Sequence, residues 1–143
     1  RSMYGYSGLN IMTTTTTTLF KHNFGKNSQV SLTEYQGQRR LNLRVLDGTF
    51  PAQKYVGLSV RDVRKLLQLI PQVSQILASE EETFFDLSED IRLSVTRGCI
   101  DIRLRWTPPH QEEKVFTKRG LYMKQYEFTQ LTEMLNDYKK FFN

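Results

Sequence analysis

Val30-Ser31-Leu32-Thr33-Glu34-Tyr35-Gln36-Gly37, followed by Leu41-Asn42-Leu43-Arg44 and then Val56-Gly57-Leu58, has a second version in the same chain: Ile91-Arg92-Leu93-Ser94-Val95-Thr96-Arg97-Gly98, Ile100-Asp101-Ile102-Arg103 and Arg119-Gly120-Leu121. An amphipathic segment follows each version. Self-similarity at a period of about 60 residues defines the structural unit before any element is assigned.

Alternation with period two puts Val30, Leu32 and Glu34 on one side of a strand and Ser31, Thr33 and Tyr35 on the other; Leu41, Leu43 and Val45 likewise oppose Asn42, Arg44 and Leu46. Gly37, in Gln36-Gly37-Gln38, supplies the positive φ of the hairpin between them. Asp47-Gly48 closes the second of these strands and Pro51 opens the next, Gln53 to Leu58. With Thr18 to Asn23 as a first strand, the unit is a four-stranded meander. A helix is predicted from Ser59, whose hydroxyl can cap the N-terminus while Asp62 completes a capping-box pattern. Val60, Val63, Leu66, Leu67 and Ile70 form its apolar stripe. Pro71 is expected to end or kink it, leaving Gln72 to Leu77 as a second short piece, because proline removes a backbone donor and clashes with the preceding turn.

The second unit repeats the plan with edits. Glu82 to Leu87 is its first strand, the hairpin at Gly98 reads two residues shorter than that at Gly37, and Thr107-Pro108-Pro109-His110 interrupts the chain after Trp106. Val115 to Leu121 is the fourth strand. An uninterrupted helix from about Lys124 to Phe142 places Phe128, Leu131, Leu135, Tyr138 and Phe142 on one stripe. Units this small bury too little surface to be comfortable alone, and each unit's nearest partner is the other. The predicted fold is therefore α+β: two ββββα units, each a curved antiparallel four-stranded sheet with one C-terminal helix, packed as an intramolecular pseudo-dimer. Residues 1–14 read as an arm, 15–79 as the first repeat and 80–143 as the second.

The chain has 143 residues, 38% of them hydrophobic and 24% charged, in the range of ordinary globular material. No apolar run approaches the roughly 18 residues that span a bilayer and no charged-then-apolar leader is present, so the expected location is nuclear or another intracellular site of nucleic-acid handling, not secreted and not membrane-bound. Cys99 is the only cysteine, which rules out an internal disulfide and a thiolate zinc site. The net charge of +5 is unevenly spread: residues 19–79 hold nine Lys or Arg against three acids, and residues 80–143 hold ten against twelve. Six of those twelve acids fall between Glu80 and Asp90, so from Ile91 onward ten bases face six acids and both repeat bodies are basic. A polyanion is the partner such charge suits. The acidic run reads as a solvated linker, its functional alternative being an internal mimic of nucleic acid. Thr13 to Thr18 reads as an extension of the first strand, with a row of hydroxyls facing phosphates as the sharper alternative.

Val30 to Arg44, with Glu34-Tyr35-Gln36-Gly37 and Leu41-Asn42-Leu43-Arg44, together with Ile100-Asp101-Ile102-Arg103 and Lys118-Arg119-Gly120-Leu121 before the last helix, resembles the positive cofactor four family of single-stranded-DNA-binding transcriptional coactivators. The resemblance covers nearly everything after Leu19. It implies a dimer-like pair of ββββα units presenting a basic and aromatic groove. On it, Tyr35 matches the aromatic before the hairpin glycine, whereas Thr96-Arg97 stand there in the second unit. Gln36 and Gln38 replace flanking bases, with Arg39 and Arg40 close by. Arg44 and Arg103 match the strand arginine, and Trp106 the following aromatic, where the first unit has Asp47. Lys118-Arg119 match the basic pair before the last strand's glycine, for which the first unit offers Lys54.

Single-strand binding needs cations for phosphates and exposed aromatic faces for bases. Tyr35, Arg39, Arg40, Arg44, Lys54, Arg97, Arg103, Arg105, Trp106, Lys118 and Arg119 are the candidates. Strand parity also allows a core tryptophan at 106, and Arg44 and Arg103 also suit a solvated sheet face. His22 and His110 lie in different units, with no nucleophile, phosphate loop or metal-ligand pattern beside them, so neither enzyme activity nor a cofactor is expected. The expected partner is single-stranded DNA, with RNA second, in the company of transcription or replication proteins, and the helices offer a route to further self-association. The alternative is a protein-interaction module that keeps the fold and has lost the groove.

Overall fold

The computed structural model describes residues 15–46 and 55–143. Two separate four-stranded antiparallel sheets run in chain order, β1 (Thr17–Phe24), β2 (Ser28–Tyr35), β3 (Gln38–Val45), β4 (Tyr55–Ser59), then β5 (Thr83–Asp86), β6 (Ile91–Thr96), β7 (Cys99–Trp106), β8 (Val115–Lys124). Helix α1 (Val60–Ser79) follows the first sheet and α2 (Gln125–Asp137) the second, so the predicted pair of ββββα units is the fold. Of the threonine run, Thr17 and Thr18 open β1, while Thr13 and Thr14, the arm and Lys54 lie outside the described residues.

Alternation fixes which face is buried. Val30, Leu32, Leu41, Leu43, Val56 and Leu58 from the first sheet, and Leu93, Val95, Ile100, Ile102, Leu121 and Met123 from the second, are all at most 1% exposed. Leu32 sits opposite Leu41, which sits opposite Leu58; Leu93 opposite Ile102 opposite Leu121. A one-residue slip in either sheet would turn these rows outward, so burial specifies the register.

The hairpins correct the expected difference in length. Gln36-Gly37 and Arg97-Gly98 are both two-residue turns with positive φ at both positions, 51° and 76° in the first and 49° and 80° in the second. That is the backbone of a type I′ turn, whose twist matches the flanking strands. The correction moves the register between repeats: Arg44 and Arg105 each stand seven residues beyond the turn glycine. Arg44 therefore corresponds to Arg105, and Arg103 corresponds to Asn42.

Ser59 caps α1 as expected: Asp62 N donates to Ser59 Oγ and Ser59 N donates to Asp62 Oδ2, each at 3.1 Å. Pro71, however, neither ends nor splits this helix, which runs unbroken for 20 residues. Pro71 is exposed, and Val73 and Leu77 continue onto the core the stripe begun by Val63 and Leu66. Burial of those two side chains outweighs the one backbone bond that proline removes. Pro71→Ala restores that bond on a solvent-facing turn and is expected to stabilise the protein by about 1–3 kcal/mol, measured by urea unfolding.

The last helix is shorter than its stripe suggested. It ends at Asp137, and after Tyr138 residues Lys139–Phe142 form a single 3-10 turn. Tyr138 breaks the pattern because its ring is stacked at 4.0 Å on Phe20 of β1 and its hydroxyl meets His22 Nε2 at 2.7 Å. The tightened turn aims the carbonyls of Phe141 and Phe142 at Arg39 and Arg64, 3.0 and 2.6 Å away in the first repeat.

These contacts pack the repeats on one another. Helix α1 packs against α2 and β6, α2 against β1, and β4 lies beside β8. Each repeat also lays its first hairpin loop over the other's helix N-terminus. Gly25 N donates to Gln130 Oε1 at 2.7 Å and Lys26 N to Glu127 Oε2 at 3.2 Å. On the other side, Leu87, Ser88 and Glu89 face Arg61, Asp62 and Arg64 across an open cleft.

Candidate nucleic-acid interface

Burying one face of each sheet leaves the opposite face for function. On the first sheet, cross-strand pairing aligns Lys21, Ser31, Asn42 and Gly57 in one row, Thr18, Thr33, Arg40 and Ser59 in a second, and Asn23, Gln29, Arg44 and Tyr55 in a third. This face carries three cations and no acid among the described residues.

The third row holds the main feature. Arg44 lies directly across from Tyr55, with its guanidinium carbon 5.7 Å from the ring centre. The second repeat builds the same device at the corrected position: Arg105 lies across from Phe116, 5.5 Å from its ring centre. An arginine beside an aromatic presents a cation next to a π-face.

Between Arg103 and Arg105 the β7–β8 register jumps, so that three residues of β8, Thr117 to Arg119, face the single residue Leu104. Such a bulge re-aims side chains. Here it sends Arg119 across to the first repeat, where its Nε donates to the Tyr55 carbonyl at 3.3 Å and its guanidinium stands 4.7 Å from the Tyr55 ring centre. Arginines from both repeats thus converge on one tyrosine. Arg40, Tyr55, Gly57, Ser88, Asp90 and Arg119 border a cleft of about 490 Å³ at this seam. The Arg44 Nε is buried with no hydrogen-bond partner among the described residues. A buried charged donor left so costs stability, and an anion would satisfy it.

The remaining candidates divide. Arg39 is on the core side of β3, bonded to Glu34 at 2.9 Å and to the Phe141 carbonyl, so it holds the repeats together and is not on the outer face. Arg103 is on the outer face but occupied: it forks onto Asp101 at 2.9 and 2.8 Å and donates to the Thr117 carbonyl at 3.1 Å. Arg97, at the hairpin tip, lies 3.5 Å from Glu82. Lys118 is exposed on the bulge, and Arg40 reaches the Gly57 carbonyl at 3.4 Å. Tyr35 is exposed at the tip of the first hairpin. Trp106 is 50% exposed at the end of β7, which overturns the core alternative: the strand runs past the end of the buried layer before its parity matters.

Three exposed aromatics of the second sheet escape a reading that follows motifs. Phe84, Phe116 and Tyr122 are 52%, 54% and 58% exposed on its outer face. Phe84 lies under the Arg92 guanidinium at 3.6 Å, and Arg92 in turn holds Asp86 at 2.8 Å. That hydrogen bond keeps the Asp86 carboxyl below its ordinary range. The neighbouring Cys99 thiol pushes the Tyr122 phenol up. Alternation at strand positions 84, 116 and 122 was the available signal.

The acidic run pairs within its own repeat, through Glu82 with Arg97, Asp86 with Arg92, and Asp90 with Lys114 at 3.3 Å. Among the described residues none of it forms an ion pair with the first sheet's arginines, although Asp90 borders the cleft that Arg40 and Arg119 line. His, Cys, Asp and Glu side chains form no group of three or more suited to a metal among the described residues, and no described helix is long and apolar enough to cross a membrane. Compared with protein-family models, with curated proteins and with solved structures, the chain matches none.

Proposed function

We propose that the protein is a non-catalytic binder of single-stranded nucleic acid, DNA before RNA, with low sequence preference, acting in transcription, replication or genome handling in the nucleus. The observation that carries this reading is the repeated cross-strand arginine–aromatic pair, Arg44 by Tyr55 and Arg105 by Phe116, with Arg119 crossing the seam to Tyr55. Cations neutralise phosphates and release counterions, and aromatic faces stack on unpaired bases whatever their identity. Both helices spend their apolar stripes on the core, so neither offers the major-groove insertion by which duplex readers recognise sequence. The resemblance to the positive cofactor four family supports the same reading.

A competition titration of labelled oligothymidylate against duplex DNA and single-stranded RNA, at two salt concentrations, tests it. The expected order is single-stranded DNA, then RNA, then duplex, with affinity falling steeply as salt rises. Absence of binding at low salt would leave the alternative of a protein-interaction module on the same fold.

A further inference from the structure

The two sheets share a fold but not a surface chemistry. The outer face of the first carries Lys21, Arg40 and Arg44 with no carboxylate in ion-pair contact among the described residues, and of its two described aromatics Tyr55 is half-buried and Tyr35 stands out at the hairpin tip, away from the arginine rows. On the second, two of the arginines are neutralised, Arg92 by Asp86 and Arg103 by Asp101, while Phe84, Phe116 and Tyr122 are each more than half exposed. Phe84 and Tyr122 stand in one cross-strand row, joined through Ser94 and Asp101, and so are about 14 Å apart across the sheet.

We propose that the repeats divide a bound strand between them: the first sheet holds its phosphates, and the second stacks its bases on Phe84, Phe116 and Tyr122. The inference rests on the single-strand reading above and sharpens it. A sheet with two of its arginines already paired, leaving Arg105, gains less from phosphates, because at those two a new anion must displace a carboxylate held at 2.8 Å. Its exposed rings have no such competitor. The Arg92 guanidinium covers one side of Phe84, and the resulting flat layer extends the ring as a stacking surface. The first face, where three unpaired cations stand with half-buried Tyr55 and only Tyr35 at its tip is exposed, has the opposite balance among the described residues. Its arginines attract a backbone without distinguishing what the backbone carries.

The division is tested with two probes of equal length, oligothymidylate and an abasic deoxyribose-phosphate chain, titrated at several salt concentrations. Wild-type protein is expected to bind the abasic chain at least about tenfold more weakly, since stacking is then absent. Phe84→Ala, Phe116→Ala and Tyr122→Ala are each expected to weaken oligothymidylate about 5- to 100-fold, leaving abasic binding and the salt slope unchanged. Arg40→Ala with Arg44→Ala is expected to weaken both probes alike and to flatten the salt slope by about 0.7 for each phosphate no longer neutralised. The rings are exposed, so thermal unfolding of the variants should match wild type. Equal wild-type affinity for the two probes, or a flattened slope in the aromatic variants, would overturn the division while leaving single-strand binding intact. No binding of either probe at low salt would overturn both.

Discussion

Glu127→Ala is expected to destabilise the protein by about 2–4 kcal/mol, seen as a lower urea midpoint at unchanged m. The side chain is only 8% exposed, and its two carboxylate oxygens serve two repeats. Oε1 accepts the Lys124 backbone N–H at 3.0 Å, closing the N-terminus of α2, and Oε2 accepts the Lys26 N–H at 3.2 Å from the β1–β2 turn of the other repeat. Alanine orphans both donors at once and removes a negative charge from the positive end of the helix. Glu127→Gln keeps one acceptor oxygen and should lose about half as much. Gly25 approaches the same group from the other side. Its φ is +59°, and a Cβ there would lie 2.1 Å from Glu127 Oε2, so Gly25→Ala strains the turn and displaces the carboxylate. Because the two substitutions break one shared interaction, their double variant should fall short of the sum of the singles. A loss below about 1 kcal/mol for Glu127→Ala would mean that the repeats are held together elsewhere.

Much of this architecture is legible in the sequence because the signals are local. Period-two alternation locates the strands and their inner rows, and Ser59 with Asp62 announces a helix start that needs no tertiary context. Where the sequence misleads, a distant contact decides. Pro71 carries a strong local stop signal, yet Val73 and Leu77 beyond it have core to bury into. The stripe from Phe128 to Phe142 is continuous in sequence, but Phe20 captures Tyr138 and breaks the helix there. The hairpins mislead for another reason: aligning Leu41 with Ile100 matches residue types, whereas strand pairing counts from the turn.

That slip also sets what can be read of the interface. Arg44 and Arg103 look like one recurring position, but the structural pair is Arg44 and Arg105, and only those two meet an aromatic across the strand. Arg39 looks like a groove residue because cations cluster there; parity places it on the core side, where Glu34 and the Phe141 carbonyl hold it. Tyr55 is invisible as a site residue, since nothing local says that a bulge about 60 residues later will deliver Arg119 to it. Phe84, Phe116 and Tyr122 can be found by asking which aromatics alternate out of phase with the buried aliphatics.

The seam yields the largest expected effect on binding. Arg44→Ala and Arg119→Ala should each weaken single-stranded DNA by about 10- to 100-fold, the range of one charge-assisted contact. Each should also flatten the salt slope by about 0.7. The two guanidiniums share the Tyr55 ring, so removing one loosens the geometry of the other and the double variant should lose less than the product. Stability separates this from a structural role. Arg44 carries a buried Nε with no hydrogen-bond partner among the described residues, so Arg44→Ala removes an unmet donor and should leave the unfolding free energy within about 0.5 kcal/mol of wild type. Arg119 gives up its bond to the Tyr55 carbonyl and should cost about 1 kcal/mol. Lysine at either position keeps the charge but not the planar fork, and should restore the salt slope without restoring the affinity. If Arg44→Ala instead unfolds the protein in step with its loss of binding, the arginine serves the fold, and the composite groove at the seam must be abandoned.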